Sequence, residues 1–190
     1  MNPPIVIVGL GQSLRGDDAA GLEAVRYWQR AYPESANHPN LRVVLAELPG
    51  LSLLDLLAGA EATILVDAVE SGRLPGTIHV LNEKDLAAFG LSALPAQAGQ
   101  AGAGSGSAHG WGVAETLAMG RLLIPDSLPS RIVLIGIEIG QIELGAKLSE
   151  AVQAVLPAAA QLIEEQIRCL SKAFVCGNIS HSAPPKNQIK

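Results

Sequence analysis

The segment from Ile5 to Val25, IVIVGLGQSLRGDDAAGLEAV, leaves this chain few folds to choose from. Ile5 to Val8 is an unbroken apolar run rich in β-branched residues, the pattern of a strand buried on both faces as in a parallel sheet. A glycine-bearing turn follows. Asp17 and Asp18 then open a helix on which Leu22, Val25 and Trp28 recur every three residues, with Arg26 and Arg30 free to face water, and the helix ends near Tyr32-Pro33.

The rest of the chain repeats the alternation. After a polar loop at Ser35 to Asn40, Leu41 to Leu45 is a second strand. Leu48-Pro49-Gly50 breaks the run, and Ser52 caps a short helix carrying Leu53, Leu54, Leu56 and Leu57. Ala62 to Val66 is a third strand closed by Asp67; Ser71 to Gly76 is a loop, and Thr77 to Leu81 alternates as a strand. Asn82 caps a short helix through Phe89, another helix runs from about Gly110 to Leu123, and Ile132 to Ile139 is the last strong strand. Ser149 then caps a long helix with Val152, Leu156, Ala159, Ile163 and Ile167 on its apolar face, where Pro157 marks a kink or an early boundary. Strands alternating with helices predict an α/β three-layer sandwich, a mostly parallel twisted sheet with helices on both faces. The 190 residues suffice for one domain with a substantial core, over 1–176. Two stretches are too poor in large apolar side chains to offset their ordering entropy: the Gly/Ala/Ser-rich loop at about 94–108, expected to be mobile, and the tail 177–190, expected to be disordered.

Composition removes several function classes. A net charge of -5 with 3% aromatic residues provides neither a basic field nor base-stacking aromatics, so nucleic acid is not expected as a partner. The N-terminus lacks the charged n-region of a signal peptide and no 18 uncharged apolar residues run together, which predicts a soluble cytoplasmic protein without membrane insertion. Cys169 and Cys176 match neither a zinc pair nor a CxxC motif and read as free thiols. The glycine turn does not fit a nucleotide. A GxGxxG fingerprint needs glycine where Leu14 stands, and a P-loop needs Lys and Ser or Thr where Asp17 and Asp18 stand. There is no GxSxG elbow and no HExxH helix, which disfavours serine and zincin chemistry.

In open α/β sheets ligands bind beyond the carboxyl ends of the strands, so acids at strand ends are the candidates. Asp18 follows the first strand and Asp67 closes the third, which puts both on one edge of a parallel sheet; His109 stands at the far end of the Gly/Ala/Ser loop, where its helix can deliver it to that edge. Two carboxylates and an imidazole suit a divalent transition ion with open positions. Each residue also has a purely structural role open to it. Asp17 and Asp18 can cap the helix, where a carboxylate contributes about 0.5–2 kcal/mol, and for Asp17 capping is the preferred reading. Asp67 can cap a turn, and His109 can be a cap residue. Glu138, inside the final apolar strand, is read as facing a sheet edge; His38, His79 and His181 fall in a polar loop, on a strand's outer face and in the tail, and receive no site role.

Four blocks in order tip the balance. GLGQSLRGDDAAG resembles the opening motif of the nickel-iron hydrogenase maturation proteases, roughly GxGNxLxxDDGxG. ILVDAVESGRLPGT, AHGWGVAETL and IVLIGIEI resemble that family's second block, its His-to-helix block and its late strand. Gln12 stands where the pattern has Asn, Ala19-Ala20 where Gly is common, and Glu47-Leu48-Pro49-Gly50 where members often carry an Asp-Gly-Gly-Thr-like segment. The resemblance implies the family's α/β fold and an endopeptidase, aspartic-type or metal-assisted, that removes a C-terminal extension from the nickel-loaded large-subunit precursor of a nickel-iron hydrogenase. It implies that Asp18, Asp67 and His109 recognise Ni2+ and that Asp18 or Asp67 serves as general base unless the metal activates the water. Nickel would arrive with the precursor, the partner, with no permanently bound cofactor, and a monomer is expected. A non-cleaving nickel-binding or precursor-binding protein is the alternative, and a nucleotide-binding domain a more distant one.

Overall fold

The computed structural model describes residues 4–47, 49–86 and 112–177, the last six of these by their backbone only. Five strands form one sheet in the order β2-β1-β3-β5-β4. The first, β1 (Ile5–Gly11), is an interior strand buried along its whole length, as the apolar run requires. A 3-10 turn at Gly16–Ala19 leads into α1 (Ala20–Ala31), and Pro33 then starts a short helix, α2 (Pro33–Ala36), that runs into the first residues of the expected polar loop. Proline at the first helical position loses no hydrogen bond, which is why the chain turns helical again there.

Strand β2 (Leu41–Glu47) lies parallel to β1 on one side and β3 (Ala62–Val69) parallel to it on the other. Between them, α3 (Leu53–Leu57) is preceded by a 3-10 turn; the Ser52 hydroxyl bonds back to the Pro49 carbonyl and caps no helix. Next comes β4 (Ile78–Asn82), the antiparallel edge strand beside β5. Asn82 does cap the helical turn at 83–86, its Oδ1 accepting the N–H groups of Lys84 at 3.0 Å and Asp85 at 3.2 Å. The helix α4 (Val113–Leu123) precedes β5 (Arg131–Glu138), which pairs parallel to β3, and α5 (Glu150–Gly177) closes the domain. Ser149 caps α5, its Oγ accepting the Val152 N–H at 3.3 Å. Pro157 lies inside α5 and does not end it. The expected loop at 94–108 lies outside the described residues, as does the expected tail 177–190 beyond Gly177, the last residue of α5.

The alternation of each strand sorts the core into two layers. Ile5, Ile7, Ile64, Val66, Ile135 and Ile137 face α1 and α5, where Trp28, Val152 and Ile163 meet them. Val6, Val8, Leu65 and Leu134 face the other way, onto Leu53, Leu54 and Leu57 of α3 and Leu117 of α4. This is the expected three-layer sandwich, a mostly parallel sheet with helices on both faces. Among the described residues no helix is long and apolar enough to cross a membrane.

Candidate active site

The chain leaves β1 for α1 on one side of the sheet and reaches β3 on the other, so the carboxyl ends of β1 and β3 form the switch point where strand direction opens a crevice. The register shows where it opens. β1 and β3 pair from Ile5↔Ala62 to Gly9↔Val66 and no further, while β1 stays with β2 to Gly11↔Glu47 and β3 stays with β5 to Val69↔Glu138. Asp67 is the first residue of β3 beyond the split. It does not close its strand, as the apolar pattern suggested, because pairing with β5 carries the strand two residues further.

The first turn of α1 is wedged into the split. A Cβ on Gly21 would lie 2.2 Å from the Val66 carbonyl oxygen and 2.4 Å from that of Leu10, so only glycine lets the helix approach this closely. Gly11, at φ +146°, likewise sits where a Cβ would strike the Asp18 carbonyl oxygen at 2.1 Å. The glycines of the opening stretch therefore serve backbone packing, and that packing brings the 3-10 turn holding Asp18 against β3. Asp18 and Asp67 are 1% and 2% exposed, two buried carboxylates at one switch point. Oδ1 of Asp67 accepts the Ala68 N–H at 2.9 Å, which ties the carboxylate to its own backbone. His109 lies outside the described residues, and among the described residues no three His, Cys, Asp or Glu side chains gather as a metal-binding group.

Neighbouring Asp17 does something different. Its Oδ2 accepts the N–H groups of Gly140 at 3.0 Å and Gln141 at 3.2 Å and the Ser149 hydroxyl at 2.9 Å, while Oδ1 accepts the Ser149 N–H at 2.6 Å. The role is structural, as expected, but it is not capping of its own helix, for which no side-chain bond is made. Asp17 staples the β1 turn to the loop after β5 and fixes the residue that caps α5.

Glu138 corrects the sequence reading. β5 lies between β3 and β4, so Glu138 faces no edge; it is 1% exposed and bonded to Ser71 and Arg73 of the loop after β3. His79 of β4, read as outward-facing, places Nε2 3.2 Å from Oε2 of Glu138. Burial pushes the Glu138 carboxyl up, but the hydrogen bonds from Ser71, Arg73 and His79 outweigh it and hold the group below its ordinary range. The sequence did carry a signal: a lone acid within a run apolar at every position cannot sit on a half-exposed strand.

Comparison with known proteins decides what such an edge belongs to. A family model described as hydrogenase maturation protease matches residues 23–166, well over half of the chain. The chain belongs to the hydrogenase maturation protease family. It is similar to the hydrogenase expression/formation protein HupD of Rhizobium leguminosarum bv. viciae, at 27% identity over 96% of this chain and 83% of the relative. HupD of Rhodobacter capsulatus is 32% identical over 78% of this chain and 63% of the relative. The hydrogenase maturating endopeptidase HybD from E. coli superposes with a TM-score of 0.67 over 86% of this chain and 91% of that one; at 21% identity it shows the fold. The [NiFe] hydrogenase maturation protease HybD from Thermococcus kodakarensis is 26% identical, with a TM-score of 0.61 over 85% and 97% of the two chains. The maturation protease fold thus accounts for the sheet order and for the switch point at which the two carboxylates lie, and the protein is a peptidase.

Proposed function

We propose that this maturation peptidase removes a C-terminal extension from the large-subunit precursor of a nickel-iron hydrogenase, and that it reads the nickel carried by that precursor through Asp18, Asp67 and His109. The observation that carries the reading is the pair of buried carboxylates at the β1/β3 split, each more than 97% shielded from solvent yet placed where a parallel sheet admits its ligand. Two carboxylates with the imidazole of His109 would make a ligand set that suits a divalent transition ion with open positions.

Nickel here is cargo of the substrate. Held mainly by the precursor, it would meet this edge only when loaded, so the scissile peptide would be aligned only on a loaded precursor. Cleavage then needs a water activated at the same place, by the metal or by Asp18 or Asp67 as general base. A monomer working in the cytoplasm, where the precursor would be loaded, belongs to the same reading.

The test is direct. Wild-type protein incubated with nickel-loaded precursor should shorten it, and Asp18→Ala, Asp67→Ala and His109→Ala should each lower processing by about 100-fold or more while keeping the wild-type circular dichroism. Stable binding of the loaded precursor with no shortening would favour the non-cleaving alternative; wild-type rates in all three variants would remove these residues from the site.

A further inference from the structure

Glu138 takes no part in the chemistry above, yet its carboxylate is filled with donors from a single loop and the strand that follows it. Oε1 accepts the N–H groups of Ser71 at 2.7 Å and Arg73 at 3.0 Å; Oε2 accepts the Ser71 hydroxyl at 2.8 Å and faces His79 Nε2 at 3.2 Å. Its backbone finishes the clasp. The Glu138 carbonyl accepts the Gly76 N–H and its own N–H donates to the Thr77 carbonyl, both at 2.8 Å. One residue therefore grips both ends of the loop from Ser71 to Thr77.

That loop begins four residues after Asp67. Because the ladder to β1 stops at Val66, the stretch from Asp67 to Val69 overhangs the split and is paired within the sheet with β5 alone. Directly across from Asp67 stands Gly136, which supplies backbone pairing but no side chain to brace the carboxylate. Oδ1 of Asp67 accepts the Ala68 N–H, so the direction of the carboxylate is coupled to the course of the overhanging backbone. We infer that Glu138 is a positioning residue of the peptidase site: by clamping residues 71–73 it fixes the overhang of β3 and with it the direction in which Asp67 presents its carboxylate. The inference rests on the maturation-peptidase reading with Asp67 in the site. Displacement of a reacting group by about 1 Å can cost about 100-fold in rate, so a clamp of this kind matters to turnover even though it touches no substrate.

The experiment is steady-state processing of nickel-loaded precursor by the full-length protein, with circular dichroism and urea midpoints recorded for each variant. Glu138→Ala should lower kcat by about tenfold or more with KM within about threefold of wild type. Glu138→Gln should restore kcat to within about threefold, because its amide oxygen can accept both N–H groups while its NH2 faces Ser71 Oγ and His79. Glu138→Asp keeps the charge but withdraws it by one bond and should behave like the alanine variant; it carries the test if the alanine variant does not stay folded. Wild-type kcat in a folded Glu138→Ala or Glu138→Asp, or a Gln variant as impaired as alanine, would overturn the inference alone. A wild-type protein that leaves the precursor intact would overturn the maturation reading and the clamp with it.

Discussion

Asp17 and Asp18 are adjacent, both acidic and both buried, yet they answer to different demands. Asp17 accepts four hydrogen bonds from Gly140, Gln141 and Ser149, and leaving a buried donor without its acceptor costs about 1–3 kcal/mol. Removing that acceptor strands its donors, so Asp17→Ala should lower the stability read from urea denaturation by about 2–4 kcal/mol. Asp18→Asn, nearly isosteric, should shift stability by no more than about 1 kcal/mol while abolishing processing; a stable Asp17→Ala would show the staple to be dispensable. Glu138 adds a pH dependence. Its carboxyl is held below the ordinary range in the folded protein, so its contribution is complete above the unfolded-state value of about 4.3 and is lost as the pH falls through the folded value. In Glu138→Gln that contribution is missing at neutral pH, and the stability gap to wild type should narrow as urea midpoints are measured from pH 7 down toward pH 3.

At the scale of elements, α1 and α5 are joined by a buried polar contact within an apolar seam. Trp28 is fully buried on α1 and donates Nε1–H to Oε2 of Glu164 at 3.1 Å, while the Ser35 hydroxyl takes the other oxygen at 3.0 Å. Trp28→Ala should cost about 3–5 kcal/mol through the cavity and the donor lost by Glu164, and Trp28→Phe distinctly less; equal losses would mean that the hydrogen bond outweighs the packing. These elements were legible in the sequence because period and caps agree: the spacing of Leu22, Val25 and Trp28 gave α1, and Ser149 marked the start of α5. What stayed hidden depends on pairing partners distant in sequence. Asp67 looked like a strand end because nothing local reveals that β5 carries β3 on to Val69, and Asp17 looked like a cap because its donors lie more than 120 residues away. The split that makes Asp18 and Asp67 neighbours on one edge could be anticipated from a parallel sheet, but its location at Gly9 and Val66 follows from register alone.

For the whole molecule, the remaining question is what covers the carboxyl edge when a precursor arrives. The loops after the four parallel strands each leave a leucine exposed there: Leu14 after β1, Leu51 after β2, Leu74 after β3 and Leu144 after β5. Three of these loops touch one another, Leu14 accepting through its carbonyl the Gly145 N–H at 2.7 Å and Gly140 lying so close to Pro75 that a Cβ there would come within 2.9 Å. Large aliphatic side chains on such loops are costly to leave in water, and they rim the edge at which, in the proposed function, the precursor docks. A protein partner that buries two of them gains about 1.5–3 kcal/mol for each, and every 1.4 kcal/mol is tenfold in affinity. Leu74→Glu combined with Leu144→Glu should therefore raise KM for the precursor by about tenfold or more, with kcat at saturation and the thermal midpoint unchanged because neither side chain packs in the core. Processing kinetics across a precursor titration read this out, and an unaltered KM would move the docking surface away from these loops and toward the segment around Leu51.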